Sequence, residues 1–270
     1  MTRIALVVSD VDGTLLTKDK VLTERAAKAA RQLREADIAF TITSSRPAIG
    51  MGFLIAPLQI DLPVGPFNGS SIIDPAMRPL EQSLIPAGAA ARCVDLLQQR
   101  GIDIWVFTSD AWLTRNAAGD YVPNEQRAIR ADPTITSDFS PYLAKACKIV
   151  GSSRDFDLLA RCEGEMRELL GTEATAVRSQ SYYLDITPPG RNKGTFVTAM
   201  AARLGIPLSQ VATIGDMHND VAMFEVSGLS IAMGNASDEV KSHATRVTTS
   251  NQDEGFANAM EMIVAENVQD

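Results

Sequence analysis

The chain has little of what staples a protein or anchors it in lipid. Its 270 residues hold three cysteines, Cys93, Cys147 and Cys162. They are odd in number and far apart, so neither a disulfide framework nor a Cys-x-x-Cys site is expected, and a reducing, cytoplasmic setting follows. No run approaches the ~20 apolar residues of a membrane span. The apolar stretch near the N-terminus, Ile4 to Val8, is cut off by Asp10 and Asp12. It falls short of the roughly 7–15 residues of a signal-peptide core, so no targeting segment is expected. Positive charge is also in deficit: 25 Lys and Arg stand against 33 Asp and Glu, a net charge of −8. Bulk electrostatic binding to nucleic acid or to an anionic membrane is therefore disfavoured, although a small basic pocket for an anionic ligand is not. Internal repeats and low-complexity segments are lacking as well. What is present is ordinary: 45% hydrophobic and 21% charged residues, enough for a sizeable core. At roughly 150 residues per domain, the length suits two domains or one large one.

The pattern of elements favours two. Ile4 to Val8 reads as a strand buried on both faces. Thr23 to Glu35 reads as a helix, with Thr23 placed to cap and Ala26, Ala27, Ala30 and Leu33 on one face. Ile38–Thr43 reads as strand, Ile49–Ala56 as helix and Val64–Phe67 as strand. The C-terminal third repeats the rhythm, with helices at Thr195–Leu204, Asp220–Val226, Asp238–His243 and Gly255–Ala265. Its strands are placed at Val211–Ile214, Leu229–Met233 and Arg246–Thr248. Alternation of this kind predicts a parallel sheet with right-handed crossovers. The middle differs. Helices are expected at Ala87–Gln99 and Phe156–Leu170, and strands at Ile102–Phe107, Lys145–Val150, Ala174–Arg178 and Tyr182–Ile186. Pro123, Pro133 and Pro141 break the stretch between. The expected architecture is an α/β, doubly wound parallel-sheet (Rossmann-like) core, residues 1–82 and 189–270, with an α+β domain, residues 83–188, inserted in it. Pro79–Pro86 and Thr187-Pro188-Pro189-Gly190 are the linkers.

Chemistry collects where strands end. The first strand runs into Ser9-Asp10-Val11-Asp12-Gly13-Thr14, the second into Thr43-Ser44-Ser45-Arg46, and the one at Val211 into Gly215-Asp216-Met217-His218-Asn219-Asp220. Ligands of open parallel sheets bind outside the carboxyl ends of the strands, so these loops should converge. Asp10, Asp12, Asp216 and Asp220 would then meet, and four carboxylates repel one another unless a cation lies among them. Hard oxygen donors with no cysteine nearby point to Mg²⁺ rather than zinc, shared with waters and a substrate phosphate.

Asp10-Val11-Asp12-Gly13-Thr14 resembles the signature of the haloacid-dehalogenase-like phosphohydrolase superfamily. Ser44, Lys193 and Gly215-Asp216-x-x-Asn219-Asp220 match its other motifs in order. The insertion between the second and third motifs resembles a type IIB cap, as in Cof-type phosphatases. Phe67-Asn68-Gly69-Ser70 is similar to that subfamily's turn after the third core strand. Tyr183-Leu184-Asp185-Ile186-Thr187-Pro188, followed by Asn192-Lys193-Gly194, is similar to its re-entry from cap to core.

The resemblance implies a Mg²⁺-dependent phosphatase of sugar phosphates or related small phosphorylated metabolites, as a monomer or homodimer. It implies Asp10 as nucleophile forming an aspartyl-phosphate, and Asp12 as general acid and base, its backbone carbonyl rather than its carboxylate on the metal. Asp216 would be a direct metal ligand beside Asp10, with Asp220 supporting it or serving as a further ligand. Ser44, Lys193 and Asn219 would contact phosphate or leaving group. Gly13 would shape the turn, and Thr14 would hold the Asp12 carboxylate. Two departures stand out: Ser44-Ser45-Arg46 replaces the commoner Thr-Gly-Arg, and His218 sits inside the fourth motif. Arg46 contacts substrate or pairs with a neighbour; the sequence leaves both open. For Asp220 a place at a helix N-terminus, favoured by the dipole, is an equal alternative. Arg115, Arg127, Tyr182 and Asp185 are cap candidates that surface or packing roles explain equally well. Competing readings are a phosphotransferase or phosphomutase on the same chemistry, and a non-catalytic phosphate-binding regulatory protein. A nicotinamide site is disfavoured, because the first strand leads into Asp-x-Asp-Gly, not Gly-x-Gly-x-x-Gly.

Overall fold

The computed structural model describes residues 3–269. It contains two compact units, one formed by residues up to Ser45, Gly52–Arg78 and Asn192 onward, the other by Arg46–Met51 and Pro79–Arg191. In chain order, the first unit opens with β1 (Leu6–Ser9), α1 (Glu24–Glu35), β2 (Ala39–Ile42), α2 (Gly52–Leu58) and β3 (Ser71–Ile73). The second holds β4 (Pro79–Gln82), α3 (Ala87–Gln99), β5 (Asp103–Phe107), β6 (Trp112–Thr114), α4 (Val122–Ile129) and β7 (Thr134–Ile135). It continues with α5 (Ser140–Leu143), β8 (Lys148–Ser152), α6 (Phe156–Leu170), β9 (Thr175–Gln180) and β10 (Tyr183–Thr187). The chain re-enters the first unit with α7 (Lys193–Leu204), β11 (Val211–Gly215), α8 (Val221–Phe224), β12 (Leu229–Ala232), α9 (Asp238–Ser242), β13 (Arg246–Val247) and α10 (Gly255–Gln269).

The first unit is a doubly wound α/β layer. Its sheet runs β13-β12-β11-β1-β2 with every pair parallel. β1 is buried along its length, as a strand covered on both faces must be. Leu6 and Val8 pack against Phe196, Val197 and Met200 of α7 and against Met223 and Phe224 of α8. Phe40 of β2 meets Phe256 of α10 at 6.0 Å between ring centres. α1 begins where Thr23 accepts a hydrogen bond from Ala26 N–H at 3.1 Å, which satisfies one orphan donor of the first turn. The strand order reverses between β1 and β11. From β1 the chain builds outward to β2, and after the insertion it builds the other way from β11. A reversal of this kind opens a crevice at the carboxyl ends of the two central strands.

The inserted unit is α+β. Its sheet runs β7-β6-β5-β8-β10-β9, antiparallel except for β6 with β7. Alternate residues, among them Ile104, Val106, Ile149, Leu184 and Ile186, form a core with α3 and α6. The intervening positions carry Trp105, Phe107, Trp112 and Tyr183, whose rings pack edge to face or stacked.

Two expectations are corrected. Val64–Phe67 is not a strand: Val64 and Gly65 make only isolated bridges, and Phe67–Gly69 forms a 3-10 turn. Proline and glycine there leave too few extended residues to sustain a ladder. The proline-containing stretch is also less broken than expected, since Pro123 and Pro141 lie in the first turns of α4 and α5, where a missing N–H costs nothing. Asp220–Val226 and Ile49–Ala56 each divide into a 3-10 turn and a helix. No helix among the described residues is long and apolar enough to cross a membrane.

Candidate active site

The residues gathered at the reversal point are delivered from six places in the first unit: the loops after β1, β2, β11 and β12, the turn at Phe67–Gly69 and the start of α7. Asp10 follows β1 directly. Its N–H still pairs with Ile214 O at 2.9 Å, so the ladder to β11 holds it rigidly. Lys193 is the first residue of α7, and Asn192 before it caps that helix. Asn192 accepts from Thr195 N–H at 2.9 Å, and Asn192 N–H donates to Thr195 Oγ1 at 3.2 Å. The Lys193 side chain is only 1% exposed, and its Nζ lies 2.5 Å from Asp10 Oδ1 while also donating to Asp220 Oδ1. Lys193 belongs so close to the sheet because Gly194 lets α7 approach α8. A Cβ on Gly194 would lie 2.1 Å from Ala222 O.

Asp216 and Asp220 come from the loop after β11. Asp220 Oδ2 accepts from the N–H groups of Asp216 and Met217, at 2.8 and 2.9 Å. The Asp220 carboxylate thus closes its own loop with one oxygen and receives Lys193 with the other. Gly215 makes room for it, since a Cβ there would meet Asp220 Cγ at 2.4 Å. Asp216 accepts from Thr14 Oγ1 at 3.2 Å and from Asn235 Nδ2 at 3.1 Å. Gly13, with φ +81°, passes so close that a Cβ would sit 2.2 Å from Asp216 Oδ2.

One lysine among three buried carboxylates leaves the cluster short of positive charge. Burial pushes the Asp216 carboxyl up to about 7, helped by the neighbouring Asp220. Burial raises Asp10 as well, with Lys193 opposing and Asp220 and Asp216 adding to the rise. Burial alone would lower Lys193, but Asp10 and Asp220 outweigh it and hold the ammonium charged. Ligand oxygens of Asp10, Asp216 and Asp220 lie within 4.8 Å of one another and could hold a metal ion.

The other sequence-derived residues fall as follows. Asp12 forms an ion pair with Lys20 at 2.7 Å. Ser44 is buried; its N–H donates to Gly65 O, and its carbonyl accepts from Asn68 N–H at 2.7 Å. Asn219 Nδ2 donates to Asn68 Oδ1 at 2.9 Å, while Asn219 Oδ1 is buried without a partner among the described residues. Phe67, Asn68 and Gly69 all have positive φ, 53°, 57° and 78°, a strained turn of the kind found at ligand sites. Arg46 belongs to the other unit, where its guanidinium donates to Gly50 O at 3.1 Å and to Ala128 O. His218 is exposed, 3.8 Å from Glu239, and His243 is exposed too. Thr14 was expected beside Asp12; its hydroxyl donates to Asp216. Sequence reasoning missed Lys20 and Asn235. Asn235 could have been found, since it follows β12 as Asp10 follows β1.

An open parallel sheet with a buried carboxylate–lysine cluster at its reversal point is the apparatus of an α/β enzyme that handles an anionic substrate. The chain belongs to the haloacid dehalogenase-like hydrolase family, whose sequence pattern matches residues 7–260, and is a phosphatase of its Cof-type branch. A 5-amino-6-(5-phospho-D-ribitylamino)uracil phosphatase of Bacillus subtilis is 30% identical to it over 281 residues, covering 95% of this chain and 96% of its own. A pyridoxal phosphate phosphatase of Escherichia coli is 26% identical, covering 93% and 96%. The crystal structure of a haloacid dehalogenase-like hydrolase from Bacteroides thetaiotaomicron superposes with a TM-score of 0.90 at 26% identity, covering 97% of this chain and all of that one.

Proposed function

We propose that this protein is a Mg²⁺-dependent phosphomonoester hydrolase of small phosphorylated metabolites, working through an aspartyl-phosphate on Asp10. The observation that carries this is the Asp10–Lys193 contact of 2.5 Å inside a cluster of three carboxylates. The donor set fits Mg²⁺: hard oxygens, no sulfur or imidazole, and an excess of negative charge that raises Asp10 and Asp216. Asp10 and Asp216 would hold the ion, with the Asp12 carbonyl; Asp220, already tied to its loop and to Lys193, would support them. When bound, the ion neutralises phosphoryl charge and lets an anionic nucleophile approach an anionic ester.

Asp10 attacks phosphorus. Its new P–O bond forms as the ester P–O bond breaks, and Asp12 gives its proton to the departing alkoxide. Water then attacks the aspartyl-phosphate, Asp12 takes the proton, and inorganic phosphate leaves with Asp10 restored. Lys193 and the Ser44 hydroxyl stabilise charge on the phosphoryl oxygens. The buried Asn219 Oδ1 can only accept, which suits a leaving-group hydroxyl, while its Nδ2 gives one N–H to Asn68 and has a second that a phosphoryl oxygen could take. Residues 83–188 would serve as a type IIB cap that selects the leaving group, with residues 1–82 and 189–270 as the catalytic core. The relatives' names point to the substrate class, since each is named for a small phosphorylated compound.

The test is phosphate release from p-nitrophenyl phosphate and a panel of sugar phosphates, with Mg²⁺, with EDTA and with Asp10→Asn. Mg²⁺-dependent release is expected, lowered at least about a thousandfold by Asp10→Asn. Absence of release from every ester by folded, Mg²⁺-loaded protein would overturn the reading.

A further inference from the structure

The loop after β12 brings a fourth strand end to the cation cluster. There Gly234 N–H donates to Thr249 O at 3.0 Å, and a Cβ on Gly234 would lie 2.7 Å from Ser250 N. The loop is therefore clamped against the segment that follows β13, and Asn235 is presented from a rigid support.

All three polar positions of the Asn235 amide are committed. Nδ2 donates to Gly13 O at 2.9 Å and to Asp216 Oδ2 at 3.1 Å. Oδ1 accepts from Asn251 N–H at 2.9 Å. Asn251 in turn donates from Nδ2 to Leu16 O at 2.8 Å. One side chain thus ties the loop after β1, which carries Asp10 and Asp12, to the carboxylate delivered by β11. Only a primary amide meets this demand, because the position needs two diverging N–H donors and one acceptor. A carboxylate has the acceptor but no donors, and would add negative charge beside Asp216. A hydroxyl has a single donor.

The consequence concerns how Asp216 is oriented. Thr14 occupies one of its oxygens and Asn235 the other. Each oxygen of an ionised carboxylate has room for about two partners, so both can still face a cation while the plane of the group is fixed. We propose that Asn235 is a positioning residue for the divalent-cation site, holding Asp216 in register with the β1 loop so that the ligand set is assembled before the cation arrives. This rests on the cation reading above, and the experiment separates the two.

Mn²⁺ binding to the full-length chain is measured directly, by the loss of the free-ion paramagnetic signal, in the wild type and in Asn235→Ala. Thermal unfolding of both is followed in EDTA. Asn235 is exposed, so the substitution opens no internal cavity and the fold should survive. Wild-type protein should bind Mn²⁺, and Asn235→Ala should bind it about 10-fold to 100-fold more weakly, with metal-free stability little changed. Asn251→Ala keeps its backbone N–H to Asn235 and loses the tie to Leu16 and a long contact of 3.4 Å from the Ser250 hydroxyl, so a smaller weakening in the same direction is expected. Wild type that binds no divalent cation would overturn the cation reading itself. Wild type that binds, with Asn235→Ala binding equally well, would overturn the role of Asn235 alone. So would a weakening matched by an equal loss of metal-free stability.

Discussion

Each charged residue of the cluster is committed to a neighbour, and the neighbour explains why that residue type is there. Lys193 serves Asp10 and Asp220 together, which a shorter or neutral side chain could not do from the start of α7. Lys20 is the less obvious case. It adopts φ +61° at the tip of a turn, with its N–H on Thr17 O, and reaches Asp12 at 2.7 Å. Both side chains are partly exposed, so the pair adds little stability, under about 1 kcal/mol. Its value would lie in aiming the Asp12 carboxyl at the leaving oxygen. Lys20→Met should then lower kcat/KM for alkyl phosphates about tenfold, a fraction of what a general acid contributes. p-Nitrophenyl phosphate, whose leaving group needs little protonation, should suffer much less, and Lys20→Arg should restore most of the loss. Equal losses on both substrates would remove Lys20 from proton delivery.

At the scale of the element, the site is built from loop turns more than from regular structure. Strands β1 and β11 set the spacing, and glycines let their loops close. Gly13 is the sharpest instance, because both its left-handed φ of +81° and the approach of Asp216 exclude a side chain. In Gly13→Ala the cheapest relief is displacement of the Asp216 carboxylate. The expected cost is about 1–3 kcal/mol of unfolding free energy in a urea titration, with a fall of about tenfold or more in kcat/KM at saturating Mg²⁺ under conditions where the variant is still folded. Activity within about threefold of wild type, on the scale where 1.4 kcal/mol is tenfold, would show that the loop tolerates the change. The Phe67-Asn68-Gly69 turn makes the same point. Its left-handed run is held by Asn68 N–H on Ser44 O at 2.7 Å and by Gly65, where a Cβ would press 2.6 Å from the Phe196 ring.

For the whole molecule the cluster couples folding to pH and to metal. The Asp216 carboxyl is raised to about 7 by burial and by Asp220, so the native state holds a proton that the unfolded chain releases at its ordinary value near 4. The resulting stabilisation is complete below that ordinary value and is lost as pH rises through about 7. Raised Asp10 acts in the same sense. Metal-free protein should therefore lose thermal stability from about pH 5 to about pH 8, beyond what its exposed groups cause. A bound cation replaces the proton, so the rise in Tm on adding Mg²⁺ should grow over the same interval. Melts in EDTA and in Mg²⁺ across that range decide it; a Mg²⁺ increment that shrinks with rising pH would contradict the assignment.

Much of this protein is determined by its sequence alone, because period and punctuation are local. Alternating buried strands and capped helices specify a parallel α/β unit, and the span Ala87–Gln99 is helical from end to end as its pattern predicts. Polar loops after β1 and β11 disclose Asp10, Asp216 and Asp220, since a parallel sheet puts its strand ends at one edge. Lys193 is legible only through motif order, because a lysine beginning a helix ordinarily faces water. Tertiary structure alone decided the rest. Lys20 at Asp12, Thr14 at Asp216 and Asn235 across Gly13 and Asp216 join loops that are distant in sequence or turned by backbone geometry. The direction of a loop side chain depends on the φ of a few residues and on what packs beneath them, and neither leaves a periodic trace in the sequence.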